Sequence, residues 1–89
     1  MELYFVTLNI KSGSSTLSKL GLILNNYEGI RHEPDVWIIR TNEASSIIME
    51  KINRYLSDRD TAFVCRISTN YACKCDDKTK RWINSRLMS

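Results

Sequence analysis

The chain has 89 residues, of which 43% are hydrophobic and 26% charged, and a formal net charge of +3. That length holds one modest core and leaves no room for a second domain, and the composition is that of an ordinary globular chain, not a disordered or low-complexity one. No apolar run approaches the roughly 20 residues that span a bilayer, and no basic n-region with an apolar h-region opens the chain, so neither membrane insertion nor export is expected.

The first element runs from Leu3 to Ile10, where Tyr4, Val6, Leu8 and Ile10 alternate with Leu3, Phe5, Thr7 and Asn9. Both faces are largely apolar, as in a central strand. A turn from Lys11 to Ser15 offers several N-caps, and Leu17, Leu20, Leu24 and Tyr27 then recur at helical spacing. Gly21 weakens this helix, and Gly29 is predicted to end it by taking the left-handed C-terminal conformation. Ile30 to Glu33 reads as a short strand and Val36 to Ile39 as a strong one, joined by a turn at Pro34 and Asp35. Asn42 is predicted to cap a second helix, whose stripe is Ile48, Ile52, Tyr55 and Leu56, supported by Ile47. The polar turn Ser57 to Asp60 leads to a fourth strand, Thr61 to Ile67, and an irregular loop from Thr69 to Asp76 precedes a third helix. That helix starts near Asp77 and carries Trp82, Ile83 and Leu87 on one face.

This order predicts an α+β domain, a ferredoxin-like β-α-β-β-α-β sheet with two packed helices and an additional C-terminal helix. Residues 1–67 would form its core and 68–89 a basic loop and helix, within a single domain spanning 1–89. A core this small, with an apolar final strand Ala62–Cys65, favours a homodimer.

Chemistry-bearing motifs are sparse. Cys65, Cys73 and Cys75 are an odd set, which fits reduced thiols in the cytoplasm better than a secreted disulfide framework. Zinc would require Cys73 and Cys75 to combine with Cys65 and with His32, the single histidine, which falls in a separate hairpin. The spacing is not the usual knuckle, and Cys65 reads more simply as a small buried residue. No serine or cysteine has the local sequence of an activated nucleophile, and Gly13, Gly21 and Gly29 do not make a phosphate-cradling loop. Asp58 and Asp60 read as turn residues whose side chains bond nearby backbone. No catalytic residue, metal, cofactor or small-molecule substrate is therefore expected.

The bases are unevenly spread. From Arg66 onward six of them face only Asp76 and Asp77, a net +4 on the last quarter of the chain. Lys74, Lys78, Lys80, Arg81 and Arg86, with Lys11 and Arg31, are the candidate contacts to a DNA or RNA backbone; a solvated helix face is the competing reading. Trp37 reads as core, whereas Trp82 and Tyr71 are candidates for contact with a partner.

Three stretches carry a resemblance to a known family: Tyr4–Ile10 as the first strand, Asp35–Asn42 as strand and cap, and Leu56–Asp60 before the last strand. Thr69–Ala72 followed by a helix bearing Trp82 adds to it. These segments resemble the SinR-like branch of the superfamily of small CRISPR-associated endoribonuclease-like dimers and VapD toxins. The resemblance implies a ferredoxin-like homodimer associated with nucleic acid, in some members a metal-dependent nuclease and in others a noncatalytic scaffold. The family's first strand typically ends in a metal-holding aspartate, and this chain has Asn9 there. A neutral amide holds magnesium poorly and does not readily lower the pKa of its water. The reading that follows is a catalytically silent nucleic-acid-binding dimer. A protein-binding regulator or inhibitor, of phage or mobile-element origin and acting on a host complex, is the alternative, and a weak metal-dependent nuclease is a second one.

Overall fold

The computed structural model describes residues 1–87. Its elements in chain order are β1 (Glu2–Asn9), α1 (Ser14–Leu24), β2 (Glu28–Glu33), β3 (Val36–Thr41), α2 (Ser45–Asn53), β4 (Thr61–Ile67) and α3 (Asp77–Leu87). The four strands form one sheet in the order β2-β3-β1-β4, antiparallel at every pairing. This is an α+β arrangement compatible with the ferredoxin-like class.

Strand alternation sorts the apolar residues onto two faces. On one face Tyr4, Val6 and Leu8 of β1 and Trp37 and Ile39 of β3 pack against Leu20 and Leu24 of α1 and Ile48 and Ile52 of α2. On the other, Leu3 and Ile38 pack against Ile83 of α3, with Trp82, Leu87, Tyr71 and Ile67 around them. The first cluster is the larger and is covered by two helices; the second is covered by one. The rest of that second face stays open, so Phe5 is 38% exposed and Phe63 of the edge strand β4 is 65% exposed.

Several local expectations differ from the structure. α1 ends at Leu24, not near Gly29, because residues 28–33 are drawn into pairing with β3. Gly29 lies opposite Ile39, where a Cβ would sit 2.4 Å from the Ile38 carbonyl oxygen. The glycine is thus required by close strand packing and not by a helix cap. The left-handed glycine is Gly13, at φ 135° just before α1. Asn42 does not cap α2, which starts at Ser45 behind an extended Ala44. Tyr55 falls beyond the end of α2 and is exposed, while Leu56 still packs on the first cluster.

Candidate nucleic-acid interface and the adjoining groove

α3 begins where Asp76 caps it: the Thr79 backbone N–H donates to Asp76 Oδ2 at 3.0 Å and the Thr79 hydroxyl to Oδ1 at 2.7 Å. The same bonds hold the Asp76 carboxyl below its usual range, with the nearby His32 adding to the effect. From that cap, Thr79 and Ile83 point inward at i and i+4. Lys78 and Arg81, three apart, are left on the outer surface, with Lys80 half-buried on the side of α3 toward residues 69–73 and Lys74 exposed in the preceding loop. None of these four cations pairs with a carboxylate among the described residues.

The other three predicted bases are placed differently. Arg86 is half-buried at the far end of α3, its guanidinium 3.7 Å from Glu28 and stacked 4.3 Å from the Trp82 ring centre. Arg31 lies on the opposite face of the sheet, stacked 4.3 Å from Trp37 and donating to the Pro34 carbonyl. Lys11 is exposed in the loop after β1. Lys74, Lys78, Lys80 and Arg81 thus lie on α3 and the loop before it, whereas Lys11 and Arg31 lie elsewhere and Arg86 is held at the far end of α3. The two partner-contact candidates are held within the chain: Trp82 under Arg86, and Tyr71 through its hydroxyl, which donates to Asn84 Oδ1 at 2.5 Å.

Beside α3 the open sheet face and residues 71–75 enclose a groove of about 420 Å³. Phe5, Val36 and Ile38 form its floor, Tyr71, Cys73 and Cys75 one wall, and Ile83 and His32 parts of the others. The topology brings the β2–β3 hairpin to this groove, so His32 Nδ1 is 3.6 Å from Asp76 Oδ1 although the two are remote in sequence. Cys65 is exposed, contrary to the buried role expected for it, because the α3 cluster takes in Ile67 at the end of β4 and leaves Cys65, two residues back on this edge strand, open. Among the described residues no group of three or more His, Cys, Asp or Glu side chains could hold a metal ion. Asn9 is an exposed amide at the last position of β1, and it offers no charge with which to hold one.

Two polar networks are structural. Asp60 accepts hydrogen bonds from Lys11, Ser12 and Ser57, the turn role expected of it. A second network was not evident in the sequence: the Tyr27 hydroxyl donates to Glu43, and Lys51 Nζ reaches Glu43 at 2.6 Å and the Tyr27 oxygen at 3.2 Å. It links the start of β2 to α2. Burial, then the Glu43 bond, raises the Tyr27 pKa, and Lys51 lowers that of Glu43. A tyrosine held protonated beside a charge-neutralised carboxylate serves as a tie and not as a base. No helix among the described residues is long and apolar enough to cross a membrane.

No family model matches the chain, and no curated protein does. A solved structure does resemble it: the crystal structure of a hypothetical protein, TT1823, from Thermus thermophilus. The match has a TM-score of 0.68 at 18% identity and covers 84% of this chain and 92% of that one. At that identity the likeness concerns the fold alone.

Proposed function

We propose that the chain is a ferredoxin-like, noncatalytic homodimer of the SinR-like type that binds the backbone of DNA or RNA through the outer surface of α3. The observation that carries this reading is that Lys74, Lys78, Lys80 and Arg81 all lie on α3 and the loop before it with no carboxylate partner among the described residues. Cations grouped without internal partners form a surface on which phosphates displace only water and counterions. Binding with little sequence preference follows. The test is the salt dependence of affinity for a mixed-sequence duplex. Four phosphate contacts give a slope of log affinity against log salt of about −3 to −4.

A second reading is supported by a different observation. Phe5, Phe63 and Cys65 are exposed side by side on the open half of the second face, since Phe5 is in register with Cys65 and Thr7 with Phe63. An apolar face next to an unpaired strand edge suits a protein partner. Under this reading the chain is a regulator of a host protein complex, and its affinity is insensitive to salt.

A further inference from the structure

The loop between β4 and α3 holds Cys73 and Cys75 with their sulfur atoms 3.2 Å apart. Residues 68–76 belong to no helix or strand. Drawing the sulfurs together to the ~2.05 Å of a covalent bond thus needs a shift of about 1 Å in chain that no ladder restrains. Both residues line the groove, Cys73 exposed and Cys75 half-buried. We propose that Cys73 and Cys75 are a dithiol site that exchanges with small disulfides such as glutathione disulfide, closing reversibly into an intrachain bond at the wall of the groove.

Exposure assigns the roles. Cys73 is open to attack from solvent, whereas the hydrogen bond to Cys73 and then burial hold Cys75 protonated above the usual thiol range, an effect that Lys80 opposes. The Cys73 thiolate attacks one sulfur of glutathione disulfide, a bond forms between them, the glutathione S–S bond breaks, and one glutathione thiolate leaves. Cys75 then loses its proton to water and attacks Cys73 Sγ, and the second glutathione departs. Two protein thiols are oxidised by two electrons, and one small disulfide is reduced to two thiols. Cys65 stands on β4 outside the lining of the groove and acts as an internal control.

The experiment equilibrates the protein in buffers of varying reduced and oxidised glutathione, quenches with acid, alkylates the free thiols and measures intact mass and peptide maps. The expected product carries a single alkyl group, on Cys65, where the reduced chain carries three; it is bridged between Cys73 and Cys75, and excess reduced glutathione restores the fully alkylatable chain. Cys75→Ser is expected to accumulate a glutathione adduct on Cys73 that goes no further. Three results would overturn the proposal: equal glutathionylation of all three cysteines without ring closure, a bridge that uses Cys65, or a chain that stays fully reduced where a control dithiol peptide is oxidised.

Discussion

Asp60 accepts the backbone N–H of Lys11 at 2.7 Å, so the residue that leads into β4 fixes the chain as it leaves β1. The same carboxylate also accepts from Ser12 and Ser57, and Asp60 is only 8% exposed. These bonds, with that from the Ser57 backbone the strongest, hold its pKa far below the ordinary 3.8. The unfolded chain therefore takes up the proton first. The stabilisation is complete above the ordinary carboxylate value and is lost as pH falls further toward the folded value. The urea midpoint of the natural protein is expected to fall as pH drops below about 4. Asp60→Asn should lower the midpoint at neutral pH and flatten that acid dependence; an unchanged pH profile would remove Asp60 from this role.

Two glycines are expected to respond in opposite senses to one added methyl group. At Gly21, inside α1, a Cβ meets only Trp37 and Arg31 at 3.7 and 3.8 Å, ordinary contact distances. Gly21→Ala is expected to stabilise the fold by about 0.5–1 kcal/mol through helix propensity. At Gly29 the Cβ would collide with backbone, and Gly29→Ala is expected to cost about 2 kcal/mol or more by separating β2 from β3. Denaturant melts of the two variants against the natural chain provide the comparison.

Replacing Lys74, Lys78 and Arg81 together with alanine is expected to lower nucleic-acid affinity and to reduce the salt slope by about 3, one for each cation removed. Arg86→Ala should instead act mainly on stability, because its guanidinium is tied to Glu28 and Trp82. An intact triple variant with unchanged affinity and slope would displace the α3 patch. A natural protein that binds no nucleic acid would transfer the weight to the protein-partner reading.

Neither RNA nor double-stranded DNA is expected to be cleaved by the natural chain in magnesium or manganese, since Asn9 supplies no charge for an ion. The informative comparison is with Asn9→Asp, assayed side by side. Cleavage by the natural chain that persists through stringent purification would place an active site elsewhere.

Light scattering at micromolar concentration is expected to give twice the chain mass. Phe63→Lys, which places a charge on the most open apolar position of the sheet, should yield the single-chain mass with the fold retained. A natural chain already monomeric would dismiss the dimer and weaken the family resemblance with it.

The central strands were legible in the sequence because both of their faces are buried, so that Tyr4, Val6 and Leu8 and the run Val36–Ile39 are apolar wherever the sheet requires it. Trp37 in the core followed from the same logic. Cys65 was misread because alternation does not reveal whether a face is covered, and coverage there depends on where α3 lies. Tyr27, Glu43 and Lys51 come from three separate segments, as do His32, Asp76 and the groove wall. Only the strand order β2-β3-β1-β4 brings them together, and no local pattern encodes it. The seven candidate bases are likewise separated by the topology, which puts Arg31 on the opposite face of the sheet and Arg86 against Glu28 at the far end of α3.

The order in which the layers are completed bears on synthesis. α1 and α2 lie within the span of the four strands, so a nascent chain that has emerged through β4 already holds everything that covers the first face. Leu3 and Ile38 on the reverse side remain wet until Asp77–Leu87 follows. During that interval the emerging chain presents a two-sided sheet with one bare side, a form in which a chaperone or a neighbouring nascent chain has something to grip. The helix proposed to carry the basic patch is thus also the cover that ends this exposure.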